Sequence, residues 1–181
     1  MPRYIAFLRA LNVGGHHVVT MEALRGHFQA VGFGAVETFI ASGNVIFETA
    51  ERNGAKLEAR IEKALEAALG HEVVTFLRTP VELAAIAAHQ PFPAERLAAA
   101  QALNVAFLKA PLDATAERAL FALRTEVDDF HVHGREVWWL CAARQSDSKF
   151  SNVRFEKAVG AKSTFRGIGT LRKLAAKYVT A

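Results

Sequence analysis

Between the first predicted strand and the first predicted helix lies the stretch Arg9-Ala10-Leu11-Asn12-Val13-Gly14-Gly15-His16-His17. An apolar run, Tyr4 to Leu11, leads into it, and an amphipathic helix, Met21 to Val31, follows it. Two adjacent glycines leave little side-chain bulk, so main-chain N–H groups can approach a ligand closely. The stretch therefore predicts a strand-to-helix connection that doubles as a candidate binding loop.

The elements that follow complete a recognisable order. Thr20 is a predicted N-cap, and Gly70 is a predicted C-terminal stop for the second helix. The further predicted elements of this half are the strands Val36–Ala41, Val45–Glu48 and Glu72–Arg78 and the helix Gly54–Leu69. The resulting order, β-α-β-β-α-β, is that of a ferredoxin-like unit.

A second set of elements repeats the order. A short helix, Val81–Ala88, and the run Pro91-Phe92-Pro93 separate the two sets. The later predicted elements are Leu103–Leu108 (strand), Ala114–Arg124 (helix), Val127–Val132 and Glu136–Cys141 (hairpin), Asn152–Val159 (helix), Lys162–Phe165 (strand) and Thr170–Tyr178 (helix). We therefore expect an α+β protein of two tandem ferredoxin-like halves packed as one compact body: residues 1–79, a helical connection 80–102, and residues 103–181 with a C-terminal helix.

This topology predicts where the loops lie. Strands one and two of such a unit run parallel through a right-handed crossover, so their ends point the same way. The loop after strand one, the Ser42-Gly43-Asn44 turn and the exit of the second helix then share one edge. The polar groups expected there are Arg9, Asn12, the amides of Gly14 and Gly15, His16, His17, Ser42, Asn44 and His71. Such a donor-rich edge suits a phosphate, another oxyanion or a carbonyl group.

The same residues also allow an interpretation without a ligand. Gly14-Gly15 and Ser42-Gly43-Asn44 can be turns that only require positive φ, with Asn12 bonding its own backbone. The sequence leaves both interpretations open.

A second candidate anion site lies near the C-terminus. Arg166-Gly167-Ile168-Gly169-Thr170 precedes a helix, and Thr170 is its predicted cap. The stretch lacks the G-x-x-x-x-G-K-[ST] pattern, so a nucleotide-hydrolysing loop is not predicted. Lys149 is a further candidate ligand-binding cation, with a polar neighbourhood that predicts an ordinary amine.

Other reactive side chains give weaker signals. His131 and His133 fall on one face of a strand and could share a metal with His16 and His17, but no Cys/His quartet or H-E-x-x-H helix is present. No metal site and no cofactor are therefore predicted. The paired carboxylates Asp128-Asp129 lack an acid/base partner in the sequence. Cys141, the single cysteine, is expected to be a small buried hydrophobe.

Composition and charge limit the partners. Hydrophobic residues make up 51% and charged residues 22% of 181 residues, which is typical of a globular protein. No apolar run is long enough to span a bilayer, no signal peptide is recognised, and one cysteine fits a reducing compartment, so we expect a cytoplasmic protein without a membrane partner. The formal net charge is +4, and residues 144–181 hold nine Lys/Arg against two acidic residues. That basic segment suits nucleic acid, although it is more often a solvated helix face.

The N-terminal motifs resemble those of an uncharacterised, mainly bacterial family, catalogued as domain of unknown function sixteen-ninety-seven. Its pattern L-R-G-I-N-V-G-G, M-x-x-L-R and Y-I-Q-S-G-N-V is matched by Leu8–Gly15, Met21–Arg25 and Phe39–Val45. The resemblance implies tandem ferredoxin-like halves. A family S-K pair resembles Ser148-Lys149, and the family's T-x-R-N-W-N-T corresponds to Thr164–Thr170, where both asparagines and the tryptophan are replaced.

The function remains unassigned by these patterns. The favoured hypothesis is an uncharacterised protein that binds a phosphate-containing small molecule or nucleotide through Arg9, Asn12, Gly14, Gly15, His16, Ser42 and Asn44, with Lys149, Arg166 and Thr170 as further candidates. The alternatives are nucleic-acid binding through the basic C-terminal segment and a protein-interaction module. An enzyme with His16 or His17 as general base is also compatible with the sequence, and the oligomeric state is left open.

Overall fold

The computed structural model describes residues 1–12 and 18–179. It divides the chain into two compact units, Met1–Leu83 and Ala84–Ala181. Each unit contains a four-stranded antiparallel sheet, and seven α-helices are present in the described residues. The protein therefore has an α+β fold, as the sequence predicts.

The first unit follows the β-α-β-β-α-β order. Its sheet has the strand order β2-β3-β1-β4. Both β1 and β2 pair antiparallel with β3, so they point the same way. Its elements are β1 (Arg3–Leu8), α1 (Met21–Val31), β2 (Gly34–Thr38), β3 (Asn44–Glu48), α2 (Gly54–Leu69) and β4 (Thr75–Arg78). A further helix, α3 (Pro80–Ala88), spans the boundary between the units.

Local capping chemistry fixes both long helices of this unit. The Thr20 hydroxyl accepts from the Ala23 N–H at 3.0 Å, and the Asn53 carboxamide accepts from the Lys56 N–H at 3.0 Å. Gly32 and Gly70 end the helices in the left-handed conformation. These signals are why the predicted bounds of α1 and α2 coincide with the observed ones.

The helices cover one face of the sheet with an apolar core. Phe47 is fully buried, and its ring lies 4.4 Å from that of Phe33 and 5.6 Å from that of Phe28. Leu24 from α1 and Leu57 from α2 belong to the same cluster. Burial of this aromatic group stabilises the sheet from which the loops of the first unit extend.

The second unit repeats the order with additions at both ends. Its sheet has the order β6-β7-β5-β8. Its elements are α4 (Ala94–Ala99), β5 (Ala102–Phe107), α5 (Ala114–Phe121), β6 (Asp128–His133), β7 (Glu136–Cys141), a 3-10 turn (Gln145–Asp147), α6 (Asn152–Val159), β8 (Thr164–Gly167) and α7 (Ile168–Tyr178). The adjacent Trp138 and Trp139 alternate across β7, and Trp139 joins the helix-covered core with Phe130, Phe150 and Phe155.

Several predicted bounds were wrong, and the errors at the end of β1 and the start of β4 share a cause. Strand β1 ends at Leu8 rather than Leu11, β2 ends at Thr38 rather than Ala41, and β4 begins at Thr75 rather than Glu72. Apolar runs continue beyond the hydrogen-bonded ladder because loop residues such as Leu11 and Val73 also enter the core. Helix α5 ends at Phe121 rather than Arg124, β8 lies two residues later than predicted, and α4 was not predicted at all.

Ile40, in the β2–β3 connection, has a backbone conformation that is costly for a branched side chain. Its φ is 50° and its side chain is 53% exposed, so no core packing offsets the strain. We expect Ile40→Asn to raise the free energy of unfolding by roughly 0.5–1 kcal/mol, because asparagine tolerates this conformation. Chemical denaturation followed by circular dichroism measures the change. Ile40→Val keeps the branched side chain and is the control, which should stay unchanged.

In the described ranges, no helix combines the length and apolar character required to cross a bilayer.

Candidate functional site

Three segments of the first unit meet beyond the end of β1. The Leu8 N–H donates to the Gly43 carbonyl at 2.9 Å, and His71 Nε2 lies 3.1 Å from the Ala10 carbonyl oxygen. The Arg9 N–H donates to the Val74 carbonyl at 2.9 Å. We call the residues Arg9–Asn12, Ser42–Asn44 and His71 the rim. The three segments that the topology argument placed on one edge are therefore neighbours.

Glycine is required at the centre of the rim for two reasons. Gly43 has a φ of 77°, which disfavours any side chain. A Cβ atom on Gly43 would lie 3.2 Å from Leu8 Cβ and 3.6 Å from Leu11 Cδ2. The backbone of the turn at Gly43 thus packs against the side chains of Leu8 and Leu11. This close approach holds the rim together.

Two predicted ligand-binding carboxamides take part in loop architecture. The Asn12 Oδ1 atom accepts from the Val19 N–H at 2.8 Å, which joins the two ends of the connection between β1 and α1. The fully buried Asn44 donates its amide to the Phe39 carbonyl at 3.0 Å and to the Ser42 hydroxyl at 2.8 Å. Asn12 therefore bonds its own backbone, as the interpretation without a ligand requires, and Asn44 stabilises the turn.

The remaining predicted residues of this site divide into two groups. The Arg9 guanidinium and the His71 imidazole belong to half-buried residues at the rim. Gly14, Gly15, His16 and His17 lie outside the described residues. In sequence, the rim residues Arg9–Asn12 immediately precede the twin-glycine segment.

Lys149, Arg166 and Thr170 belong to the second unit. Lys149 is exposed, and its carbonyl accepts from Arg154 Nη1 at 2.9 Å. Arg166 is buried, and its Nη1 donates to the Thr164 hydroxyl at 2.7 Å and the Phe165 carbonyl at 2.9 Å. Burial lowers the Arg166 pKa to about 10, which leaves the guanidinium protonated at neutral pH.

The prediction that Thr170 caps the last helix was wrong. Helix α7 begins at Ile168 and has Gly167 at its N-cap, with no side-chain cap. Thr170 therefore lies within the first turn of α7. The Arg166–Thr170 stretch also divides between strand β8 and the helix, so it is a direct strand-to-helix connection rather than a loop.

The carboxylates of β6 have partners that the sequence did not suggest. Asp128 is only 2% exposed, and its Oδ1 accepts from Trp139 Nε1 at 2.9 Å and from the Ser148 hydroxyl at 2.8 Å. Its Oδ2 accepts from the Thr125 hydroxyl at 2.9 Å. These partners are neutral hydroxyl and indole donors, and Ser148 of the family-like Ser-Lys pair anchors its loop to this network.

A shallow cavity of about 300 Å³ lies beside this network. Its lining contains three acidic residues and one lysine: Thr125, Glu126, Val127, Asp128, Asp147 and Lys149. Asp129 lies near by, paired with Arg96 at 2.9 Å and with Arg124 at 2.7 Å. The acidic lining disfavours an anionic ligand in this cavity.

A histidine cluster, defined as His89, His131 and His133, lies against Trp138. The Nε2 atoms of His89 and His131 are 3.0 Å apart, and the His89 and His133 rings stack at 4.5 Å between centroids. The Trp138 ring centroid is 4.6 Å from that of His89. Desolvation lowers the pKa of His89 and of His131, and the neighbouring imidazoles lower both further.

Sequence reasoning found only part of this cluster. Alternation in β6 placed His131 and His133 on one face, but His89, at the end of α3, is 42 residues away from His131. Nothing in the sequence around His89, which lies between the end of α3 and Pro91-Phe92, predicts a contact with a distant strand. Among the described residues, no group of three or more His, Cys, Asp or Glu side chains has a geometry ready to hold a metal ion.

Cys141 is fully buried, as predicted, and its thiol donates to the Ala143 carbonyl at 3.0 Å. Burial raises its pKa, so the thiol is protonated at neutral pH and is a poor nucleophile.

Comparisons with known proteins support the sequence resemblance. The model of a family described as "Protein of unknown function (DUF1697)" matches residues 1–138. Among solved structures, a conserved bacterial protein from Streptococcus pneumoniae aligns over 100% of this chain and 99% of its own, with a TM-score of 0.77 and 21% sequence identity. At this identity the likeness concerns the fold alone. No curated protein matches the chain in sequence.

Proposed function

We propose, for a chain that belongs to the DUF1697 family of proteins of unknown function, that it binds a phosphate-containing small molecule at the rim of the first unit. The observation that carries the proposal is the meeting of three segments there, through the Leu8–Gly43 and His71–Ala10 contacts of 2.9 and 3.1 Å. These contacts bring one arginine and one histidine to the base of a segment that contains two adjacent glycines. Main-chain amides next to a cation are a common anion-binding arrangement.

The Asn12–Val19 hydrogen bond adds to this argument. The Asn12 side-chain oxygen accepts from the Val19 N–H and so joins the two ends of the segment. The bond also satisfies one backbone N–H of the connection to α1. The amides between these ends follow Arg9 by four to nine positions in the sequence. We infer that the ligand contacts them together with the Arg9 guanidinium, whose bidentate geometry matches phosphate oxygens.

Inorganic phosphate and ATP are the probes that test this site. We expect saturable binding to the full chain at low ionic strength, measured by calorimetry, and at least about a tenfold loss of affinity for Arg9→Gln, because a charge-assisted hydrogen bond contributes about 1.5–3 kcal/mol. Arg52→Gln is the matched control, since Arg52 is exposed in the β3–α2 connection and the variant changes the net charge equally.

Backbone changes provide the second arm of this test. The double variant Gly14→Val with Gly15→Val should weaken binding as strongly as Arg9→Gln does. Gly26→Ala is its control, because a Cβ at this exposed helical position meets nothing within 4 Å. Absence of binding by both probes, or unchanged affinity in both the arginine and the glycine variants, would rule out the rim as the site.

We also infer that each unit is a ferredoxin-like repeat. Supporting this, the two sheets have corresponding strand orders, β2-β3-β1-β4 and β6-β7-β5-β8. Each fourth strand also carries a buried arginine at a matching position, with Arg78 opposite Ile5 and Arg166 opposite Val105. Both guanidiniums donate to the carbonyl of the preceding residue.

A further inference from the structure

We propose that His89 and His131 form a binding site for a divalent copper ion in the second unit. The proposal rests on the facing Nε2 atoms of the two imidazoles, which lie 3.0 Å apart. It is independent of anion binding at the rim, because both histidines and their neighbours belong to the other unit.

The separation of the two nitrogen atoms suits two ligands of one ion. With metal–nitrogen bonds of about 2.0–2.1 Å, nitrogens 3.0 Å apart subtend an angle of about 95° at the metal. That angle is close to the cis angle of a square-planar or tetragonal centre, which Cu²⁺ and Ni²⁺ adopt. A tetrahedral Zn²⁺ site would need the two nitrogens a few tenths of an ångström further apart. Of the first-row divalent ions, Cu²⁺ binds imidazole sites most tightly.

The protonation state of the pair favours a cation. Desolvation is the main cause that lowers the pKa of His89 and of His131, and His133 lowers both further, which favours the neutral rings that a metal ion requires. In the absence of a metal, one Nε2–H donates to the other Nε2. When the ion binds, the donor ring loses its Nε2 proton to solvent and takes up one at Nδ1, so that each neutral ring offers an Nε2 lone pair.

His133 is a candidate third ligand. Its ring stacks on His89 with an interplanar angle of 16°, and its side chain is exposed. An exposed imidazole can change rotamer at little cost. The two-histidine pair is therefore the prearranged part of the site, and His133 adds to it after a side-chain rotation.

Trp138 has two consequences for this site. Its ring centroid lies 4.6 Å from that of His89 and 5.9 Å from that of His131. Its Nε1–H is buried and has no hydrogen-bond partner among the described residues, so a water or anion that completes the coordination of the ion would supply an acceptor. A paramagnetic ion bound to His89 and His131 would also quench the fluorescence of this ring.

The test is a titration of the full, tag-free chain with Cu²⁺, followed by tryptophan fluorescence and calorimetry at pH 7. We expect quenching that saturates at one equivalent. His89→Ala and His131→Ala should each weaken binding at least about tenfold, since even an outer-shell partner of a metal ligand contributes 10–100-fold to affinity. Zn²⁺ should bind more weakly than Cu²⁺.

Two controls separate this site from the other histidines. His27→Ala, on α1 of the first unit, and the double variant His16→Ala with His17→Ala should both keep the quenching. If the alanine variants of the cluster fail to fold, electron paramagnetic resonance of the wild-type Cu²⁺ complex should show coupling to at least two imidazole nitrogens. Absence of saturable quenching in the wild type, or quenching that survives in the double variant His89→Ala with His131→Ala, would overturn the proposal.

Discussion

Replacing Asp128 with alanine is expected to lower the free energy of unfolding of the second unit by about 3–4 kcal/mol, since truncating one member of a buried charged network leaves its partners unsatisfied. The Asp128 carboxylate is 2% exposed and accepts hydrogen bonds from Trp139, Ser148 and Thr125. Three elements are joined by these bonds: the start of β6, the strand β7 and the loop before α6. In the alanine variant the buried indole N–H loses its acceptor, and the loop loses its anchor.

Urea denaturation followed by tryptophan fluorescence measures this effect directly. Both tryptophans of the chain lie next to each other on β7, so the signal reports on the second unit. Asp147→Ala is the matched control, because Asp147 is exposed in the neighbouring 3-10 turn. The free energy of unfolding of this variant should differ from that of the wild type by less than about 0.5 kcal/mol. Ser148→Ala removes one of the donors and should cost about 1 kcal/mol. An Asp128→Ala transition that coincides with that of the wild type would contradict the structural role assigned to this carboxylate.

Replacing Phe47 with alanine is expected to destabilise the first unit by about 3–5 kcal/mol, the usual cost of truncating a buried aromatic side chain. Phe47 is fully buried, stacks on Phe33 at 4.4 Å and on Tyr4 at 5.8 Å, and belongs to β3. Its truncation leaves a cavity between the sheet and the helices α1 and α2. Since β3 continues directly from the Ser42–Asn44 turn, the rim should lose definition as well.

Hydrogen exchange of the amides in β1 and β3 is the appropriate measurement for this variant, because the first unit contains no tryptophan. Protection of these amides should fall by two to three orders of magnitude, on the basis of about 1.4 kcal/mol per factor of ten. Val18→Ala serves as the control, since Val18 is 71% exposed and its loss should leave protection in the sheet unchanged. Wild-type protection in Phe47→Ala would show that this ring does not hold the sheet to its helices.

The helices of this fold could be predicted where local chemistry marks both ends. Thr20 and Gly32 bound α1, and Asn53 and Gly70 bound α2, so a side-chain cap and a left-handed glycine fix each helix within the sequence itself. Strand ends were less predictable because they depend on pairing between distant residues. Leu11 is as apolar as a strand residue and is buried, yet it lies beyond the last paired residue of β1.

The site was predictable only where topology alone decides proximity. Antiparallel pairing of β1 with β3 and with β4 brings Gly43 to Leu8 and His71 to Ala10. Asn12 accepts and Asn44 donates hydrogen bonds within their own loops. These bonds depend on loop conformations that the spacing of apolar residues does not predict. His89 meets His131 through a contact across 42 residues, and Asp128 meets Ser148 across 20 residues, so neither cluster leaves a sequence motif.

The hydrogen bond between Asn12 and Val19 has an implication for how such a protein can diversify. Because the bond fastens the chain on both sides of the intervening six residues, we expect the sheet and α1 to tolerate substitutions at those positions. The circular dichroism spectrum and the unfolding transition of such variants should therefore match those of the wild type. A library randomised at positions 13–18, with Asn12 and Val19 retained, is therefore a direct route to redirecting what this unit recognises.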